Sequence, residues 1–346
     1  MLRERYPSFS SSYNVPGTSK NYLISPDFVL WLHSSQNTSP FIDAEGDNPM
    51  RKEVFYYSDG LKISAYLYHP NDWTAGDAPR PAVICITGYS GRKDLATIDV
   101  PERLAQEGYF TLAPDYRGFG RAEGLKGRHR PLEQAQDTYD GITFMETVEG
   151  VDPDRIGIYG TSYGGAHAIW VAAFDERVKV AVSAVGVGNG DKWLRSVFSA
   201  YEWIKLKEKV LVAARERVLT GKRTMVPRTY LCPDDPDKPK PKLIEEVHGI
   251  AEVNEYDLES AEALFRYRPE WVAGRISPRP VLFICGEDDV MVPVEDGPLA
   301  VYAACGEPKK LVHIPHGRHN DIYKVVNPEC FERCVKETIT WFGQYL

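Results

Sequence analysis

One stretch of the sequence has the residue types and spacing needed for catalysis by a serine. Ser162 stands in the segment 160–165, Gly-Thr-Ser-Tyr-Gly-Gly, which fits the pattern GxSxG. The preceding residues, Arg155 to Tyr159, are typical of a strand, and Ala166 to Ala173 are typical of a helix. A serine at such a sharp strand-to-helix turn exposes its hydroxyl, and the flanking glycines let strand and helix approach closely. The pattern predicts that Ser162 is a nucleophile at a helix N-terminus, where developing negative charge is stabilised.

A serine hydroxyl needs an imidazole that takes its proton and a carboxylate that orients the imidazole. In this arrangement the acid and then the histidine follow the serine in the chain. The strand candidate Pro280 to Cys285 is followed by three carboxylates in the loop that begins at Gly286. We predict Asp289 as the acid because it lies deep enough in this loop to turn toward the serine, and Asp288 remains the alternative.

The base should come from the loop after the last strand candidate, where three of the eight histidines lie. His313 belongs to the strand itself. His319 comes late in the loop, after a glycine and an arginine, whereas His316 precedes the glycine. We therefore predict His319 as the general base and keep His316 as the alternative.

Two backbone N–H groups are predicted to bind the oxyanion. The strand Ala82 to Thr87 ends at Gly88-Tyr89, where a sheet of this type donates one N–H group, and the residue after the nucleophile, Tyr163, donates the second. The common His-Gly pair is replaced by Thr87-Gly88, which leaves the backbone geometry available. A glycine-rich turn without a role is the alternative for this segment.

The order of the predicted elements indicates the fold class. From about Arg51 onward, strand-like and helix-like segments alternate, as in a mostly parallel sheet covered by helices on both faces. Asp59-Gly60 is a hairpin signal, so the first two strands should be antiparallel. The predicted strands are 54–58, 63–68, 82–87, 110–114, 155–159, 178–184, 280–285 and 310–314, and the predicted helices are 100–107, 131–149, 162–173, 297–304 and 328–346.

One region interrupts the alternation and predicts a three-part organisation. Residues 187–277 separate two strands without a predicted strand of their own, and such a length requires a folded insertion. Ser199 to Val218 and Asp257 to Tyr267 are typical of helices, so we expect a helical cap. Residues 51–186 and 278–346 would form the catalytic domain, and 1–50 an N-terminal helical arm. The prolines of 227–241 predict an exposed loop.

The cap is also rich in aromatic residues. They predict either an apolar pocket over Ser162 or the core of the cap itself. These residues are Trp193, Phe198, Tyr201, Trp203 and Phe265.

Composition limits the classes of partner and the cellular location that we expect. A net charge of −8 with basic residues spread among acids argues against nucleic acid and favours a small-molecule substrate. No segment has the roughly 18 apolar residues of a membrane span, and the N-terminus has no apolar stretch typical of a signal peptide. The six cysteines lack metal-type spacing. We expect a cytoplasmic protein with free thiols, without a cofactor or metal and without membrane contact, and with a possible homodimer.

These segments together resemble a known superfamily. Residues 88–93 (Gly-Tyr-Ser-Gly-Arg-Lys) and 115–120 (Asp-Tyr-Arg-Gly-Phe-Gly), with the Ser162 segment and the loops 286–293 and 317–319, resemble the α/β hydrolases. Within them the chain is similar to relatives of dienelactone hydrolase and to the group of cocaine esterase and the X-prolyl dipeptidases. The resemblance implies an α/β-hydrolase fold, with an eight-stranded, mostly parallel sheet and the cap inserted after strand 6. It also implies that the Tyr89 hydroxyl helps to bind the oxyanion.

The leading functional hypothesis is hydrolysis of an ester or amide of a small organic molecule through an acyl-enzyme. Dienelactone hydrolase has a cysteine at the place of Ser162, which argues against dienelactone chemistry here. The same three residues could instead cleave a carbon–carbon bond or transfer the acyl group to an acceptor other than water. A ligand-binding receptor on a hydrolase scaffold is the non-enzymatic alternative.

Overall fold

A mixed sheet of nine strands forms the centre of the part of the chain that the computed structural model describes, residues 41–42, 50–89, 91–94, 99–232 and 253–346. The strand order is β1-β2-β3-β5-β4-β6-β7-β10-β11; β1, β2, β3 and β5 pair antiparallel, and the pairs from β5 to β11 are parallel. These strands are β1 (Phe41–Ile42), β2 (Arg51–Ser58), β3 (Leu61–Tyr68), β4 (Arg80–Ile86), β5 (Phe110–Pro114), β6 (Val151–Thr161), β7 (Val178–Ala184), β10 (Val281–Gly286) and β11 (Lys309–Ile314).

Helices cover the sheet on both faces. Side chains alternate along each strand, so Ile84 of β4 belongs to one core cluster and Val83 to the other. The first cluster packs under α2 (Pro131–Met145), α3 (Tyr163–Phe174) and α9 (Pro298–Ala304), and the second under α1 (Asp99–Gln106) and α10 (Pro328–Tyr345). Because both faces are buried, the central strands are nearly continuous apolar runs in the sequence.

The insertion after β7 is mainly helical, as predicted, but it also contains strands. Its helices are α4 (Gly190–Ser196), α5 (Ala200–Thr220), α6 (Arg228–Leu231), α7 (Glu259–Leu264) and α8 (Pro269–Val272), followed by a 3-10 turn, Ala273–Ile276. A two-stranded antiparallel sheet joins β8 (Met225–Pro227) to β9 (Glu255–Asp257). The sequence did not predict these strands because three residues are too few to show a periodicity.

The predicted elements correspond closely to those of the structure. All eight predicted strands are present, and β1 is an additional edge strand. The predicted helix Asp257 to Tyr267 is wrong at its start, where β9 ends, and residues 228–231 of the predicted loop form α6. The predicted N-terminal arm, 1–50, lies outside the described residues except for Met50 and the two residues of β1, which form a strand and not a helix.

All six cysteines are buried thiols. Among the described residues, no helix combines the length and the apolar character that crossing a bilayer requires.

A buried ionic cluster anchors the loop that follows β4. The Lys93 ammonium lies 2.7 Å from Asp115 Oδ2, 2.7 Å from Ser64 Oγ and 3.3 Å from Glu53 Oε1. The side chain of Lys93 is fully buried, and those of Asp115 and Glu53 are almost fully buried. Asp115 also accepts a hydrogen bond from the Lys93 backbone N–H group at 2.8 Å. The cluster therefore fixes both the side chain and the main chain at this position.

Replacing Lys93 should destabilise the fold far more than replacing an exposed lysine. Lys93→Met leaves Asp115 buried without its cation and Glu53 with Arg121 as its remaining cationic partner, so we expect the free energy of unfolding in urea to fall by about 3–5 kcal/mol. Lys310→Met is the matched control, because Lys310 forms a 2.7 Å pair with Glu337 at the surface, and it should cost less than about 1 kcal/mol. Equal losses in the two variants would contradict the importance of this cluster.

Candidate active site

Ser162 lies at a strained turn between β6 and α3. Its φ of 55° and ψ of −121° are unusual for a residue with a side chain. The turn is compact because glycines surround it: a Cβ atom at Gly160 would overlap the Gly164 carbonyl group, and one at Gly164 would overlap the carbonyl oxygen of Thr87. The Ser162 backbone N–H group donates to the Ala184 carbonyl at 2.8 Å. The local sequence therefore dictates the position of the hydroxyl.

The structure brings Ser162, His319 and Asp289 together. His319 Nε2 lies 2.8 Å from Ser162 Oγ, and His319 Nδ1 lies 2.7 Å from Asp289 Oδ2. The second carboxylate oxygen of Asp289 accepts hydrogen bonds from the backbone N–H groups of Met291 and Val292, at 2.9 and 2.8 Å. All three side chains are buried. The arrangement fits proton transfer from the serine to an imidazole that the carboxylate orients.

The rivals of the predicted acid and base lie away from the serine. Asp288 is exposed, and its carboxylate is 3.5 Å from Nδ1 of His316, whose side chain is 90% exposed. His313 lies on β11, where its Nδ1 is 3.6 Å from Cys285 Sγ. The geometry therefore favours Asp289 and His319 over these alternatives.

Close contact between two loops positions the acid beside the histidine. Gly286 ends β10, and a Cβ atom there would overlap the carbonyl oxygen of Gly317 in the loop after β11. The Asp288 backbone N–H group also donates to this carbonyl at 2.9 Å. The 3-10 turn His319–Ile322 follows directly. Glycines in both loops thus allow the approach that places Asp289 against His319.

Two backbone N–H groups near the serine indicate an anion site. Tyr163 is the first residue of α3, and neither its N–H group nor that of Tyr89 has an acceptor among the residues that the structure describes. The Gly88 backbone lies close to the nucleophile, since a Cβ atom at Gly88 would be 3.9 Å from Ser162 Oγ. The two N–H groups therefore stay the predicted oxyanion donors.

The Tyr89 side chain is buried among aromatic rings. Its ring stacks on His129, with centroids 3.8 Å apart. Its hydroxyl is buried and has no hydrogen-bond partner among the described residues. Burial, together with the neighbouring Tyr256 and Cys232, raises the pKa of this hydroxyl well above its ordinary value. The ring acts as an apolar body that fixes the loop.

The insertion contributes two contacts that sequence reasoning missed. The Tyr256 hydroxyl, on β9, donates to the Tyr89 carbonyl at 3.2 Å, and the Trp193 indole N–H group, on α4, donates to the Met291 carbonyl at 3.0 Å. The first contact holds the Tyr89 loop and the second holds the acid loop. Trp193 was a candidate for a pocket, but no sequence pattern marks Tyr256 because β9 has only three residues.

Of the other cap aromatics, three pack within the insertion. Trp203 and Phe265 pack edge to face at 5.3 Å, and Phe198 packs on Tyr230. Tyr201 is 69% exposed. The prediction of a pocket over Ser162 from these residues is therefore limited to Trp193, which packs on Tyr89 at 5.3 Å.

Comparison with known proteins finds one family model and several similar proteins. The model of the X-Pro dipeptidyl-peptidase (S15) family matches residues 59–209. The quorum-quenching protein AidA of Acinetobacter baumannii is 28% identical over 83% of this chain and 92% of its own, and the acyltransferase drtE of Aspergillus calidoustus is 25% identical over 83% and 92%.

A solved structure shares the fold. The α/β hydrolase GrgF of a Penicillium species has a TM-score of 0.69 and 22% identity, over 85% of this chain and 98% of its own. The α/β-hydrolase fold predicted from the sequence is thereby confirmed.

A second histidine near the serine has the wrong environment for a base. His167 is fully buried on α3, and its Nδ1 lies 3.1 Å from the Tyr267 hydroxyl. Burial lowers the pKa of His167 to about 3. The imidazole of His167 is therefore neutral in the folded protein near pH 7, and no hydrogen bond joins it to Ser162 Oγ.

The buried His167 should make stability depend on pH. Its pKa is lower in the folded than in the unfolded chain, where it is about 6.5, so the unfolded state gains the proton first. Stability is therefore lost as pH falls below 6.5, by about 2 kcal/mol between pH 7 and pH 5. Urea unfolding at the two pH values should show this loss in wild type and not in His167→Gln. His69→Gln, on a loop, is the control and should keep the wild-type loss; a loss that persists in His167→Gln refutes the assignment.

Proposed function

We propose that this α/β hydrolase, a serine-hydrolase type of enzyme, cleaves an ester or amide bond of a small organic molecule through an acyl-enzyme. Ser162 is the nucleophile, His319 the general base and acid, Asp289 the residue that orients the imidazole, and the N–H groups of Tyr89 and Tyr163 the oxyanion donors. The observation that carries the proposal is the continuous hydrogen-bonded series from Ser162 Oγ through both nitrogens of His319 to Asp289.

The first half of the reaction forms the acyl-enzyme. His319 Nε2 takes the proton as Ser162 Oγ attacks the carbonyl carbon, and the carbonyl oxygen becomes an oxyanion. The imidazolium is stabilised by Asp289, whose own charge is held by the N–H groups of Met291 and Val292. His319 then gives the proton to the leaving alcohol or amine as its bond to the carbonyl carbon breaks.

The second half restores the enzyme. Water attacks the acyl-enzyme while His319 takes its proton, and the carboxylic acid leaves as Ser162 Oγ is protonated again. The oxyanion forms a second time and is bound by the same two N–H groups. These N–H groups stabilise the oxyanion strongly because they are fixed before the reaction in a site largely closed to water.

The surroundings of Ser162 support an apolar acyl group. The aromatic rings of Tyr89, Tyr163 and Trp193 pack against one another next to the nucleophile, with centroids 5.2 to 6.3 Å apart. Such rings recognise apolar surface and leave orientation to the few polar groups. For the same reason we propose carboxylesterase activity on organic acyl esters ahead of amidase activity on charged peptides. The buried thiols are consistent with a cytoplasmic location, which we also propose.

One observation favours acyl transfer as a second candidate. Ser162 is only 7% exposed, and a site that excludes water lets a bound alcohol, amine or thiol compete for the acyl group. The relative drtE is named an acyltransferase, and other relatives are named thiohydrolase aneE and polyketide transferase af380. The same residues perform both reactions, which differ only in the acceptor.

The role of each triad residue is testable with matched variants. We expect a fluorophosphonate to add once to Ser162 in wild type and not to Ser162→Ala, as seen by intact mass and peptide mapping. Asp289→Asn should lower kcat for a p-nitrophenyl acyl ester by about 10⁴-fold, because the imidazole is no longer held in the correct tautomer. Asp288→Asn is the matched control and should keep wild-type kcat, because its carboxylate is exposed.

The opposite pattern would be decisive against this assignment. A loss of kcat in Asp288→Asn with little change in Asp289→Asn would assign the orienting role to Asp288 in place of Asp289. Wild-type turnover in Ser162→Ala would end the proposal of a serine nucleophile.

Acyl transfer predicts a defined product pattern. With a p-nitrophenyl ester and rising concentrations of a short-chain alcohol, the ratio of new ester to free acid should increase in proportion to the alcohol, because both arise from one acyl-enzyme. Product quantification by liquid chromatography measures this ratio, and Ser162→Ala should give neither product. If free acid is the only product at every alcohol concentration, the enzyme is a hydrolase and the transfer candidate is wrong.

A further inference from the structure

Helix α5 of the insertion is apolar on two sides. On the inner side, Trp203, Leu206 and Val210 are buried in the core. Arg217, near the C-terminal end, also fixes the helix by pairing with Glu262 of α7 at 2.9 Å. The inner side therefore accounts for the packing of α5 against the residues that the structure describes.

The outer side carries a stripe of exposed apolar residues. At 100° per residue these six side chains fall within about 120° of the helix circumference. Five of them are more than 60% exposed. The stripe consists of Tyr201, Ile204, Leu211, Val212, Val218 and Leu219. Soluble proteins rarely leave such a continuous apolar surface uncovered, so the stripe indicates an interface.

Two opposite charges lie within the stripe, and their spacing is symmetric. Glu208 and Arg215 are each three and a half residues from the midpoint between Leu211 and Val212. Glu208 forms only an exposed 3.2 Å pair with Lys205 of the same helix, and Arg215 has no ion-pair partner among the described residues. A two-fold axis through this midpoint therefore places Glu208 of one copy opposite Arg215 of another.

Four of the six apolar residues obey the same symmetry, and the other two, Tyr201 and Val218, lie opposite Lys222 and Lys205. In an antiparallel pair of α5 helices, Ile204 of one copy faces Leu219 of the second copy, and the two Leu211 side chains meet beside the axis. Each residue pair then occurs twice, as in every isologous interface. A helix of 21 residues is about 31 Å long, so the whole stripe takes part.

We propose that the outer stripe of α5 is a homodimer interface, in which two copies of this chain pack their α5 helices antiparallel about a two-fold axis between Leu211 and Val212. The second copy is the occupant because the central part of the stripe, from Ile204 to Leu219, places Glu208 opposite Arg215 and Ile204 opposite Leu219 about the same axis. The catalytic residues of each copy stay within that copy, so the interface is independent of the proposed reaction.

Charge exchange on the full-length chain tests the register. Sedimentation equilibrium over a range of concentrations should show a monomer–dimer equilibrium for wild type. Glu208→Arg and Arg215→Glu each place like charges opposite one another and should raise the dissociation constant roughly tenfold or more. The double variant, Glu208→Arg with Arg215→Glu, restores the opposite pairs and should return the dissociation constant close to that of wild type.

Controls separate loss of the interface from loss of the fold. Val325→Lys changes an exposed apolar residue outside the stripe and should leave the dissociation constant unchanged. Circular dichroism should show the same helix content in every variant. A wild-type protein that is monomeric at every concentration overturns the proposal, as does a dimer that neither single variant weakens.

A symmetric cross-link gives a second readout. Leu211→Cys places two thiols beside the two-fold axis, so mild oxidation should produce a covalent dimer that a reductant reverses. Lys209→Cys, exposed on the same helix but outside the stripe, is the matched control and should remain monomeric on denaturing gels. Cross-linking of Lys209→Cys in place of Leu211→Cys overturns the register. If another part of the same chain covers the stripe, Leu211→Cys gives no covalent dimer, and the proposal is likewise wrong.

Discussion

The strained backbone at Ser162 is the constraint on which the rest of the site depends. A φ of 55° costs energy for a residue with a side chain, of the order of 1–3 kcal/mol, and persists only where its surroundings determine it. Here they do: the Ser162 N–H group binds β7, its carbonyl accepts from Gly165 and Val187, and the nearby glycines lack the Cβ atoms that would overlap neighbouring carbonyl groups. The strain places Oγ above the carboxyl ends of β6 and β7, the edge of the sheet at which every other catalytic loop begins.

The Lys93 cluster is a second constraint, and it acts more on the position of the loop after β4 than on the stability of the fold. A buried ion pair often stabilises no more than apolar residues of equal volume, because desolvation offsets the attraction. Lys93, however, bonds Asp115 through both its backbone and its side chain. It thereby holds the loop from Gly88 to Lys93 against β3 and β5, and this loop carries the N–H group of Tyr89. The cost of the buried charges is consistent with a loop that must stay in one place.

The sequence was sufficient for the elements with long, regular patterns. The eight strands, the main helices and the chain order of Ser162, Asp289 and His319 follow from apolar runs, glycine turns and the chemistry of a serine nucleophile. The choice between Asp288 and Asp289 rested on loop depth alone, because the contact of Gly286 with Gly317 that decides it is tertiary. Strands of three residues, such as β9, have no detectable period, and the contact of Tyr256 with Tyr89 depends on folding that joins residues 167 positions apart.

The insertion links substrate recognition to the geometry of catalysis. Tyr256 holds the carbonyl of Tyr89, whose N–H group is one of the two proposed oxyanion donors, and Trp193 holds Met291, whose N–H group binds Asp289. A shift of the insertion would therefore move both an oxyanion donor and the orienting acid, and 1 Å is enough to affect the reaction rate strongly. The elements that select the acyl group cannot vary freely in position, because they also support the residues that react with it. We then expect the side chains between these two contacts to determine which substrate fits, while the contacts themselves stay in place.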